Sequence, residues 1–285
     1  MVFGFRFSVS GAIRNCEVRP HPVRKLKTSN LKLLLAIMFA AGCDANLPGK
    51  PNPKDRPKTP DKVTAFDTLF GRNCAGCHGK DGKLGPAPPL NDPLFRAIVP
   101  AAALEKTLSE GRKGTAMAVF AQENGGTLTA AQIQVLVHEI KGIPYRIVEE
   151  HAEDKLKIQI VADEKGITPK WGLVKPALAS TPPYSQPEGS GNAENGAILF
   201  AEACFRCHGL NGAGIERDGK LRNKINDQAF LELISNQALR RIIITGRPDL
   251  GMPDYAKKTG RAANFQPLNS TDVADLVALL ASWRK

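Results

Sequence analysis

The pattern Cys-x-x-Cys-His-Gly occurs twice, as "CAGCHG" from Cys74 and "CFRCHG" from Cys204, 130 residues apart. At this composition a chance Cys-x-x-Cys-His has a probability of roughly 0.002 over the chain, so two copies are no accident. The flanks repeat as well. Leu69-Phe70 and Leu199-Phe200 stand at matching distances before the two leading cysteines. "LNDPLF" (90–95) pairs with "INDQAF" (225–230), and "GRKGTAMAVF" (111–120) with "GRPDLGMPDY" (246–255). "LTAAQIQVLVHEI" (128–140) pairs with "LNSTDVADLVALL" (268–280). Phe95 to Gly111 and Phe230 to Gly246 both span 16 residues. The second copy is longer by five residues after its histidine and by five after its methionine, both in predicted loops. The chain is a duplication.

Each copy reads as helical, and the expected class is all-α. Thr129 with Gln132 forms a capping box ahead of Ile133, Leu136, Val137 and Ile140, the i, i+3, i+4, i+7 stripe of a half-buried helix. The second copy starts its last helix at Asn269 or Ser270 and buries Val273, Leu276, Val277 and Leu280. The predicted organisation is a leader (1–42), a proline-rich tether (43–61), a first domain (62–142), a linker (143–190) and a second domain (191–285). In the linker, "KLKIQIVA" (155–162) predicts a strand. Linker length argues against simple tight hairpin packing of the two units. Trp171 is expected to pack against one of them.

Aromatic content is only 6%, so two bound cofactors would supply apolar volume that the side chains do not. The formal charge is +11, but residues 1–42 hold seven Lys or Arg against one acid. The remaining basic residues are scattered, and no nucleic-acid partner is expected. Leu33 to Ala41 is a nine-residue apolar run after a basic start. That is too short to span a bilayer, which needs about 20, and fits an export signal. Ala40-Ala41-Gly42-Cys43 resembles a bacterial lipobox, with Ala40 in place of the usual leucine. The resemblance makes Cys43 the lipidated N-terminus, and Asp44 resembles a signal for retention at the inner membrane. Cys16 leaves with the leader, so four cysteines remain, and all belong to the two motifs.

The motif has a known chemical use: its two thiols attach covalently to the vinyl groups of a haem, and its histidine binds the iron. Zinc is the weaker reading, since neither repeat has a second Cys or His pair. Thiol redox chemistry would call for a βαβ unit around the cysteines. His78 and His208 are thus the first axial ligands. Of four methionines, Met1 and Met38 fall in the leader. Met117 and Met252 remain, each six residues after a Gly-Arg and three before an aromatic, and are taken as the second ligands. His138 is expected on a helix surface and His151 in a solvated linker.

Both repeats resemble class I c-type cytochromes, through Cys-x-x-Cys-His-Gly, the "GRKGTAM" and "GRPDLGMP" blocks and the last helix. The resemblance covers roughly residues 62–142 and 191–285. It implies small helical domains, each around a haem c held by Cys74, Cys77, His78 and Met117 or by Cys204, Cys207, His208 and Met252. It also implies that Pro86 lends its carbonyl to the second nitrogen of His78. The second repeat has no equivalent proline, and Ala118 replaces the proline that follows Met252 as Pro253. The expected function is single-electron transfer by a membrane-tethered dihaem cytochrome, as a carrier or a subunit of a respiratory or photosynthetic complex. Its partners are redox proteins, and its place is the periplasmic side of a bacterial inner membrane. The chain is not expected to be an enzyme; the alternative is a dihaem peroxidase or sulfur-compound oxidoreductase.

Overall fold

Thr129 opens the longest helix of the first repeat, accepting from the Gln132 N–H while the Gln132 side chain accepts from the Thr129 N–H. This computed structural model describes residues 58–150, 155–160, 166–187 and 189–284. The first repeat runs α1 (Phe66–Asn73), α2 (Ala75–His78), α3 (Pro93–Ile98), α4 (Ala101–Glu110) and α5 (Ala130–Lys141). The second runs in the same order: α6 (Ala193–Ala203), α7 (Phe205–His208), α8 (Gln228–Leu233), α9 (Asn236–Thr245) and α10 (Ser270–Ser282). Asp92 and Asp227 cap α3 and α8 through the N–H groups of Phe95 and Phe230, so the repeated Asn-Asp block is a helix start. The class is all-α, with two small antiparallel hairpins added. The tether before residue 58, Cys43 and His151 lie outside the described residues. Among those described, no helix is long and apolar enough to cross a membrane.

The last helices carry the cores. Ile133, Leu136, Val137 and Ile140 of α5 are all buried, as are Val273, Leu276, Val277 and Leu280 of α10. In the second repeat α6 crosses α10 so closely that a Cβ on Gly196 would lie 2.2 Å from the Asp275 carbonyl. The aligned residue of the first repeat is Phe66, buried and packed on aromatic neighbours instead. One register position is thus solved once by close approach and once by a large ring.

β1 (Tyr145–Glu150) and the predicted strand, β2 (Lys155–Ile160), form one hairpin, which brings Ile147 and Ile158 against the first core. Its first residue corrects the expectation for His138. Tyr145 covers that face of α5, so His138 is buried, its Nδ1 meeting the Gln134 carbonyl at 2.7 Å and its ring 5.8 Å from the Tyr145 ring.

Linker length does not hold the repeats apart. Lys58–Lys285 forms one compact unit. Trp171 packs on the first repeat, as expected, edge-on to Phe66 and Phe70. Arg96, buried, holds the linker there by donating to the carbonyls of Ile140, Trp171 and Gly172 at 2.7, 2.8 and 2.7 Å. Arg240 does the same further along, through the Pro183 carbonyl at 2.9 Å and the Ser270 hydroxyl at 2.9 Å. Next to the second staple Tyr184 inserts its ring into the first core, while its carbonyl accepts from Gln237 of α9. Leu94 and Ile98 of α3 in turn pack against the second core.

Candidate functional site

Cys74, Cys77 and His78 share one helical turn because α1 ends at Cys74 and α2 restarts at Ala75. The Cys74 carbonyl receives both the Cys77 and the His78 N–H. Gly79 then leaves the helix at φ 82°, where a Cβ would lie 2.4 Å from the Leu84 carbonyl, so only glycine fits. The second repeat matches it: Cys204 ends α6, α7 spans Phe205–His208, and Gly209 has φ 71°.

The imidazole supports differ. The carbonyl at His78 Nδ1 belongs to Pro88, at 2.9 Å, and not to Pro86. The reason is local: the Ala87 N–H bonds back to the Cys77 carbonyl at 2.9 Å, which carries the chain one residue past the ring and leaves Pro86 exposed. In the second repeat the Asn223 carbonyl meets His208 Nδ1 at 2.8 Å. The five-residue insertion supplies it. β3 (Ile215–Arg217) and β4 (Lys220–Arg222) pair around Asp218 (φ 55°) and Gly219 (φ 68°), and Asn223 follows at φ 56°. Asp-Gly is the strongest short hairpin signal, so the turn was open to sequence reading, though its service to His208 was not. Since a carbonyl only accepts, both rings carry their proton on Nδ1 and keep the Nε2 lone pair for another partner.

Burial acts on the leading thiol of each pair. Desolvation, then neighbouring Cys77, pushes Cys74 up to about 12. Desolvation does the same to Cys204, up to about 12, against the opposing pull of Arg261. No disulfide joins either pair. His78 is held below its ordinary value, first by burial and then by the charges of Arg241 and Arg112, against the Pro88 hydrogen bond. The imidazole is therefore neutral, as an iron ligand must be.

Met117 packs against the first core, which includes Cys74. Its loop is closed by one backbone bond, Arg112 N–H to the Met117 carbonyl at 3.0 Å, and by the Thr115 hydroxyl accepting from the Met117 N–H at 3.2 Å. Met252 lines a groove of about 430 Å³ that also includes Leu84, Pro89 and Asn91 of the first repeat. Its loop is tighter. Arg247 and Met252 exchange both backbone bonds at 3.0 Å, and Arg247 clamps Asp249 with contacts of 2.9 and 2.7 Å.

Arg261 adds an observation that no motif pointed to. Its Nε is buried with no partner among the described residues. The guanidinium lies 4.2 Å from the Phe265 ring centroid and interacts electrostatically with Cys204 and Cys207. A buried donor left open beside the second thiol pair marks a polar partner that the protein does not itself supply. Thiols at i and i+3, an imidazole whose Nδ1 is taken by a carbonyl and whose Nε2 is free, and a half-buried thioether make up a donor set that fits covalent haem c.

Residues 193–283 match the family described as cytochrome c. Residues 61–138 match the family described as cytochrome c oxidase, cbb3-type, subunit III. The chain carries two cytochrome c-type domains. Cytochrome c-type domains imply covalently bound haem c and electron transfer. No curated protein matches the chain. A solved chain from a reducing HAO-like protein complex of Kuenenia stuttgartiensis is similar at a TM-score of 0.40 and 18% identity, covering 80% of this chain and 100% of its own length. The expectation that the chain is not an enzyme is withdrawn.

Proposed function

We propose that the protein is a membrane-tethered dihaem c-type cytochrome passing single electrons, as a carrier or as a subunit of a respiratory or photosynthetic complex. Cys74 and Cys77 hold one haem c and Cys204 and Cys207 the other. His78 with Met117, and His208 with Met252, would bind the two irons. A bound haem supplies an iron that gains and loses one electron. The chain's own residues do the rest. The thiols are spaced for two thioether bonds, and Nδ1–H bonds to Pro88 and Asn223 fix both imidazole planes. Thioether sulfur, a soft ligand, favours the reduced state over a second histidine. The domains partner with redox proteins, through interfaces that are small and transient for this kind of protein. Export and lipidation at Cys43 place them at the periplasmic face of a bacterial inner membrane.

The observation that carries this reading is the doubled geometry: each Cys-x-x-Cys-His turn presents a proton-fixed imidazole beside a leading thiol that desolvation raises. Mass spectrometry of the denatured protein decides it. Two haem additions are expected, with one left after replacing Cys74 and Cys77 by serine. One addition in the wild type, or zinc instead, would sink the proposal.

A further inference from the structure

Arg241 belongs to the second repeat but lies on the first. Its side chain is buried, its Nη2 donates to the Pro89 carbonyl, and its guanidinium carbon sits 3.5 Å from the Phe95 ring centroid. Pro89 follows Pro88, whose carbonyl meets His78 Nδ1 at 2.9 Å. Among the described residues Arg241 makes no ion pair. Burial pulls it down to about 10, opposed by Tyr184 and Asp92 and reinforced by Arg112 and Arg247. Its charge reaches His78. Position 106, aligned with it in the first repeat, is Lys106, which is exposed and faces Glu110. The duplication therefore holds one buried interdomain arginine with no counterpart.

A buried cation with no acid at ion-pair distance carries a desolvation cost that its own domain does not offset, and its charge lies beside the proposed iron centre. The ferric state carries one more positive charge than the ferrous, so a fixed cation nearby favours gain of the electron. We infer that Arg241 is a positioning residue of the first haem centre. It clamps the Pro88–Pro89 turn that orients His78, and it raises that centre's reduction potential from within the other domain. The two domains are thereby coupled: undocking the second lowers the potential of the first. This inference rests on the haem reading above.

Spectroelectrochemical titration of the full-length, haem-loaded protein tests it, with the first centre assigned by its selective shift in Met117→His. Arg241→Leu is expected to lower the reduced-to-oxidised ratio of the first centre about tenfold at fixed poise, or ~59 mV for a one-electron couple, and to leave the second unmoved. Arg241→Lys keeps the charge but loses the fork and the stacking, and is expected to restore most of the loss. Arg241→Gln, which can still donate to Pro89 without charge, covers the case in which the leucine substitution prevents folding; its first centre must also fall. Unshifted potentials in a variant with both haems, or equal shifts at both centres, overturn the inference. A wild type lacking haem at Cys74 and Cys77 instead sinks the haem reading itself.

Discussion

Trp171 and Trp283 fill the same place in the two repeats from positions that do not align. Trp171, in the linker, stands edge-on to Phe70 with ring centroids 5.0 Å apart. Trp283, just past α10, stands edge-on to Phe200 at 5.4 Å. Each indole closes over an aligned glycine: a Cβ on Gly82 would lie 2.5 Å from Trp171, and one on Gly212 2.8 Å from Trp283. The first repeat borrows from the linker what the second takes from the C-cap of its own last helix. Trp171→Ala is expected to cost about 3 kcal/mol, the lower end for a large aromatic, and to loosen the linker with the first repeat. Trp283→Ala should act on the second repeat. Denaturant melts followed at each haem's absorption would separate the two, and equal losses at both haems in either variant would refute the division.

The Met117 loop should open before the Met252 loop on heating. It has one backbone closure and a threonine hydroxyl, whereas Met252 has two backbone bonds and an ion pair. The ferric sulfur-to-iron absorption is therefore expected to fade in two steps, with the step abolished by Met117→Ala coming first. Asp249→Asn should bring the second step closer to the first.

Asn223 is required for its backbone more than its side chain. At φ 56° it suits Asn or Gly, while a β-branched residue there costs about 1–2 kcal/mol. Asn223→Val should shift the carbonyl that holds His208 and change the second centre's potential alone. Asn223→Gly should change little. A Val variant with both potentials intact would detach Asn223 from the ligand.

Stability has a pH dependence traceable to Glu139. The carboxylate accepts from the Tyr145 hydroxyl at 3.0 Å and the Lys170 N–H at 2.6 Å, yet burial outweighs both and raises it above its ordinary 4.5. A raised acid binds more protons folded than unfolded, so its contribution is fully present below 4.5 and is lost as pH rises through the folded value. Glu139→Gln should remove that slope. Urea midpoints of both proteins across about pH 4 to 8 would show it, and parallel curves would exclude Glu139.

Cys43→Ser should release the protein into the soluble periplasmic fraction or leave an unprocessed precursor. A wild-type protein that is already soluble and begins at another residue would rule out the lipid anchor.

The sequence alone determined the parts whose signals are local. The Cys-x-x-Cys-His motif puts two thiols and a histidine within one helical turn, so Cys74, Cys77 and His78 and their copies are legible as a string. A capping box and an apolar stripe likewise write the last helices directly, because both follow the helical period. The tertiary structure decided whatever depends on which segment reaches a given atom. Pro88 rather than Pro86 meets His78 because the Ala87 N–H ties back to Cys77, and an inserted hairpin brings Asn223 to His208. His138 is buried because Tyr145 returns over its helix face. Arg241 reaches the first repeat because α9 docks beside α3, a contact 152 residues apart along the chain. Such contacts carry no period and no fixed spacing, since they arise only when separately folded surfaces exclude water between them.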